Sequence, residues 1–234
     1  MQKEALHALE ETRRQGSQAG LVVLATGLGK TWLSAFDSNQ PAFRRVLYVA
    51  HREEILEQAL QTFRRIRPAA RLGYYTGQIK DREADILFAS VQTLGRQPHL
   101  QTFDPAHFDY LIIDEFHHAA ARTYRRLIAY FRPIFLLGLT ATPERTDGGD
   151  LLGLCGENLV YRCNIPEGIQ RELLCPFHYS EGESVTADPA QLVRGQGRLA
   201  GYNLPRSVRA GRQSIPTHTG GFRFRAGSVR PLKK

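Results

Sequence analysis

Apolar residues fall along this chain mostly in short, unbroken blocks. Leu21-Val22-Val23-Leu24, Val46-Leu47-Tyr48-Val49-Ala50, Tyr110-Leu111-Ile112-Ile113 and Ile134-Phe135-Leu136-Leu137-Gly138-Leu139 are runs of strand length. Arg71-Leu72-Gly73-Tyr74-Tyr75 and Asp85-Ile86-Leu87-Phe88-Ala89 add two more. Between blocks the spacing turns helical. Leu6 and Leu9 mark residues 3–15, a third helix is predicted over 30–36, and Ile55, Leu56, Ala59, Leu60 and Phe63 mark 52–66, which stops before Pro68. Strands apolar on both faces and separated by helices require a parallel sheet covered on both sides. The expected fold is therefore α/β, with ligands at the carboxyl ends of the strands.

Those strand ends carry the polar motifs. The first run leads into Ala25-Thr26-Gly27-Leu28-Gly29-Lys30-Thr31, a glycine turn followed by the helix Trp32-Leu33-Ser34-Ala35-Phe36. Glycines let backbone N–H groups converge on a polyphosphate, and a helix N-terminus adds partial positive charge. Lys30 is spaced to reach the β- and γ-phosphates, and the Thr31 hydroxyl to coordinate Mg²⁺. The general phosphate-loop pattern opens on Gly where this chain has Leu24.

The run Leu111-Ile112-Ile113 ends in Asp114-Glu115-Phe116-His117. Paired carboxylates at the end of an apolar strand are costly unless their charge is used. Beside a phosphate loop, the first suits Mg²⁺ and the second an attacking water. The last run ends in Leu139-Thr140-Ala141-Thr142-Pro143, whose two hydroxyls can bond back to the acidic strand end. A zinc site at His117-His118 is poorly served, because adjacent side chains diverge. No G-x-S-x-G elbow or Cys/His pairing suggests acyl transfer.

Ala-Thr-Gly-Leu-Gly-Lys-Thr, then Asp-Glu-Phe-His, then Leu-Thr-Ala-Thr-Pro resembles the first motor domain of superfamily 2 helicases. Within that group it is most similar to the DEAD/DEAH-box-like enzymes that include the restriction-enzyme Res subunits. That superfamily opens its loop with Ala-x-Thr-Gly, which accounts for Leu24. The resemblance covers residues 2–180 and implies a RecA-like domain using ATP and Mg, with nucleic acid, DNA rather than RNA, as partner. It implies that Gln2 contacts adenine and that Thr26, Gly27, Leu28, Gly29, Lys30 and Thr31 hold the nucleotide. Thr31 and Asp114 would hold Mg²⁺, with Lys30, Asp114 and Glu115 as the catalytic set. His117, Thr140 and Thr142 would couple hydrolysis to strand binding. Arg52 in Ala50-His51-Arg52-Glu53, with Gln92 and Thr93 in Ser90-Val91-Gln92-Thr93-Leu94, would contact nucleic acid. The stretch from Gly138 to Gly148, with Pro176-Phe177-His178-Tyr179, resembles a bacterial branch often fused to nuclease-like modules.

Composition refines the domain picture. The net charge is +8, but residues 181–234 hold ten Lys/Arg against three Asp/Glu, so the basic excess belongs to the tail and not to the ATP-binding domain at 1–180. That tail shows no period of 2 or 3.6 and reads as an irregular extension. Cys155, Cys163 and Cys175 are too few and too scattered for a disulfide framework and read as reduced. No apolar run approaches the roughly 18 residues of a membrane span, and the charged N-terminus lacks a signal-peptide core, so a cytoplasmic location is expected. Superfamily 2 enzymes use two RecA-like domains, the second supplying an arginine finger. No second strand–helix array follows residue 180, and the chain begins almost on Gln2, so half of a motor is expected. Two functions stay open: an ATP-dependent helicase or translocase half completed by a second chain, or a non-catalytic remnant that binds without cycling. A small-molecule kinase would not call for Asp-Glu-Phe-His and Thr-Ala-Thr in this order.

Overall fold

The computed structural model describes residues 1–142 and 151–175. The tail 181–234 and the motif residues 143–148 and 176–179 lie outside the described residues. The chain runs α1 (Gln2–Arg14), β1 (Ala19–Leu24), α2 (Lys30–Asp37), β2 (Val46–Ala50), α3 (Glu53–Ile66), β3 (Leu72–Tyr75) and β4 (Ile86–Ser90). Two single turns follow, α4 (Val91–Leu94) and α5 (Gln97–Leu100), and then β5 (Tyr110–Ile113), α6 (Arg122–Tyr130), β6 (Phe135–Thr140), β7 (Leu159–Cys163) and α7 (Ile165–Gln170).

The seven strands form one sheet ordered β3-β4-β2-β5-β6-β1-β7, with every strand pair parallel. Alternate residues of β1, β2, β4, β5 and β6 feed two separate cores. Val22, Tyr48, Phe88, Ile112 and Leu137 meet Leu9, Leu33, Leu56 and Phe63 of α1, α2 and α3 on one face. Val23, Leu47, Ile113 and Leu136 meet Leu94, Tyr124 and Leu127 on the other. Two-sided burial is why these strands read as unbroken apolar runs. All six expected strands are present. The seventh, β7, was not anticipated: it is an edge strand in which Leu159 and Arg162 are exposed, so it lacks a continuous apolar run.

One buried ion pair ties α1 to α2. Arg13 grips Asp37 through two hydrogen bonds of 2.9 and 2.8 Å, and the Tyr110 hydroxyl donates to the same carboxylate at 2.5 Å. The guanidinium also lies over the rings of Phe43 and Phe135, at 5.4 and 5.1 Å. Cys155 and Cys163 are free and buried, and Cys175 is free and exposed. Among the described residues, no helix is long and apolar enough to cross a membrane.

Candidate functional site

Five strands deliver their motifs to one end of the sheet: β1 the glycine turn, β2 His51 and Arg52, β4 Ser90 to Thr93, β5 Asp114 to His117, and β6 Thr140 to Thr142. Only β6 separates β1 from β5, so turn and carboxylates stand about 10 Å apart at a strand spacing near 4.8 Å. Gly27 and Gly29 have φ of 90° and 78°, where a side chain is strained. Gln2 packs against this turn; a Cβ on Gly29 would stand 2.5 Å from its Nε2. Thr26 and Gly27 are exposed, whereas Leu28 is buried and its N–H donates to the Ala25 carbonyl at 3.2 Å. Leu28 can therefore serve a nucleotide only through its main chain, since its side chain is part of the core.

Lys30 Nζ donates to the Leu24 carbonyl at 3.1 Å, curled over its own turn. Burial pulls its pKa below the usual range, against the opposing pull of Asp114 and Glu115. Asp114 is 5% exposed, and burial raises its pKa despite help from two donors. Those donors are the Tyr48 hydroxyl, 2.6 Å from Oδ2, and the Glu115 N–H, 2.8 Å from Oδ1. The Thr31 hydroxyl lies beside the same phenol. Burial and the Asp114 charge push Tyr48 well above its ordinary value, so it remains a neutral donor. Thr31, Tyr48 and Asp114 thus form one polar cluster facing Lys30.

The next residue is strained. Glu115 holds φ 51° and ψ 49°, a left-handed conformation that costs a non-glycine residue about 1–3 kcal/mol. Phe116 pins this turn: its ring lies on β6 where a Cβ at Gly138 would come within 2.8 Å. Glu115 Oε2 lies 2.6 Å from His51 Nδ1. Both atoms are sealed from solvent, yet their alignment falls short of a formed hydrogen bond. His51, Glu115 and His118 bring candidate metal-ligand atoms within 4.8 Å of one another. The direct 2.6 Å contact leaves no room for an ion between His51 and Glu115, since two ligands near 2.1 Å from a metal stand about 3 Å or more apart.

The residues expected to couple hydrolysis to strand binding lie in contact with one another. His117 Nδ1 is 3.2 Å from Thr140 Oγ1, which donates to the Thr142 carbonyl at 3.0 Å and receives the Thr142 N–H at 3.2 Å. Thr142 therefore enters this link through its main chain. Arg52 and Gln92 are exposed. Thr93 is buried, its hydroxyl accepting from Ser90 at 3.0 Å, so it braces the turn behind Gln92 and does not offer a surface contact.

Residues 1–145 match the family model described as the type III restriction enzyme res subunit. The chain belongs to that family. Relatives of the Res-subunit domain include a Saccharomyces cerevisiae protein assigned as ATP-dependent helicase IRC3, 34% identical over an aligned length of 199, the match covering 76% of this chain and 28% of that protein. The type I restriction enzyme EcoAI endonuclease subunit of Escherichia coli is 29% identical, over 75% of this chain and 23% of its own length. The chain thus spans less than a third of these relatives. The Pyrococcus furiosus Hef helicase domain superposes with a TM-score of 0.54 at 22% identity, covering 67% of this chain and 37% of that one. The fold is that of a helicase-type RecA-like domain.

Two residues of this Res-family site escaped the sequence reading. Tyr48 sits inside the run Val-Leu-Tyr-Val-Ala, and its hydroxyl is the one polar side-chain group there; that was the available signal. His51 stood unremarked next to Arg52, and its contact with Glu115 spans 64 residues of chain.

Proposed function

We propose that this Res-family domain binds ATP with Mg²⁺ and hydrolyses it as one half of a nucleic-acid motor acting on DNA. The observation that supports this most strongly is the cluster of Lys30, Thr31, Tyr48 and Asp114 beside a glycine turn with positive φ. Asp114 is a buried carboxylate with a raised pKa, the state of an anion prepared for a cation. Thr31 and Asp114 would hold the metal, which when bound neutralises phosphate charge. Lys30 would leave the Leu24 carbonyl for the phosphates, and Gln2 would face the base. Glu115 would accept the proton of the attacking water. Arg52 and Gln92 would meet the nucleic-acid backbone, and Thr140 with His117 would carry the coupling.

The first measurement is steady-state ATP hydrolysis with and without single-stranded DNA, together with binding of a fluorescent ATP analogue. Glu115→Gln is expected to keep analogue affinity and lose about 10²–10⁴-fold in turnover. Lys30→Ala is expected to lose both. Unchanged turnover in Glu115→Gln would overturn the assignment. A second reading is a domain that binds nucleotide and turns over only with a partner. Analogue binding without turnover in the unaltered chain would select it.

A further inference from the structure

His51 stands between the two halves of the proposed site. Its Nε2 accepts a hydrogen bond from Arg52 Nε at 3.0 Å. An arginine Nε–H can only donate, so Nε2 is unprotonated and the ring hydrogen lies on Nδ1. Nδ1 faces Glu115 Oε2 at 2.6 Å. The His51 carbonyl accepts from Gln92 Nε2 at 2.6 Å, and the His118 ring stands edge-on at 4.7 Å. One residue therefore touches both exposed residues assigned to nucleic acid and the residue assigned to the attacking water.

We propose that His51 is a positioning residue that withholds Glu115 from the nucleotide until nucleic acid engages Arg52. The inference rests on the motor reading above. A backbone phosphate offers Arg52 a full negative charge and a fork-shaped, bidentate fit, where the imidazole nitrogen offers one neutral acceptor. Arg52 leaves, Nε2 loses its donor, and the ring is released to turn. The Nδ1–H···Oε2 contact is close but misaligned, so little holds it once the ring moves. Glu115 then recovers the oxygen it needs to take a proton from water. This path meets the His117–Thr140 link at the His118 ring, which stands 4.7 Å from the ring of His51 and 4.2 Å from that of His117.

The test combines ¹⁵N-histidine NMR of the full chain with hydrolysis assays, using single-stranded oligothymidylate as the probe. The His51 signals are identified by their loss in His51→Asn. In the free chain they should show the Nδ1–H tautomer, and oligothymidylate should shift Nε2. Arg52→Ala should reproduce that shift without the oligonucleotide. In turnover, His51→Ala should raise the DNA-free rate to the stimulated level and abolish stimulation. His51→Asn lacks the nitrogen that Arg52 anchors, so the donor it keeps toward Glu115 is already released; it should raise the DNA-free rate as His51→Ala does and lose stimulation. A merely structural role would lower both variants together. An Nε2–H tautomer in the free chain, a Nε2 signal unmoved by bound oligothymidylate, or a slowed DNA-free rate in His51→Ala would each overturn the proposal. Failure of oligothymidylate to bind would instead overturn the assignment of Arg52, and the proposal with it. If neither form turns over ATP, the NMR result decides.

Discussion

At the scale of single residues, the site trades stability for charge. An acid whose folded pKa lies above its unfolded value holds its proton more tightly when folded. Ionising Asp114 therefore subtracts stability as pH rises from the free-carboxylate value of 3.8 through the raised folded value. Asp114→Asn removes that cost at neutral pH while removing the proposed metal ligand. The expected outcome is a ligand-free domain with a higher thermal midpoint, by roughly 2–4 °C per kcal/mol recovered, together with loss of Mg²⁺-dependent turnover. Thermal unfolding at pH 7.5 without nucleotide checks it, and a lowered midpoint would show that the carboxylate is structural. The candidate residues of the glycine turn and the acidic strand end could be read from sequence because each motif is local. Tyr48 and His51 could not, since each acts on a carboxylate more than sixty positions away.

At the scale of elements, apolar run length decided what could be read. The strands with two covered faces are unbroken blocks, and their centres were visible. The half-exposed β7 and the single turns α4 and α5 lack any such signature. Also unreadable was the Arg13–Asp37–Tyr110 cluster, whose members belong to α1, α2 and β5. With side chains 14% and 1% exposed, Arg13 and Asp37 form a buried pair, and removing either partner strands the other's charge. Asp37→Ala is expected to cost about 3–5 kcal/mol in urea unfolding. Replacing Arg13 and Asp37 by leucine, together with Tyr110→Phe, should cost less than the single change. A triple variant weaker than the single one would mean that the pair contributes net stability.

At the scale of the molecule, completeness depends on β7. It pairs with Leu21 to Leu24 of β1, the strand that leads into the glycine turn. α7 and Leu174 then close over Leu28; a Cβ on Gly168 would stand 2.8 Å from Leu174 and 3.6 Å from Leu28. On the outer side, the exposed Glu4 carboxylate takes Tyr161 and Arg171, each at 2.8 Å, and its pKa falls to about 2 mainly through Arg171. A chain ending at residue 145, where the family match stops, would leave an apolar strand edge bare. Such a chain should elute from size-exclusion as aggregate, while the full chain elutes as a discrete species. Equal behaviour would show that β1 tolerates an open edge.

The position of β1 also fixes when the site can exist. Its two partners arrive long after it: Ala19 pairs with Leu136, and Leu21 with Leu159. At about 5–20 residues per second of translation, β1 stays unpaired for on the order of ten seconds after it is made. Its glycine turn has no frame during that interval. ATP would therefore meet the proposed nucleotide site only after the sheet has closed, rewarding the finished fold without guiding the nascent chain toward it.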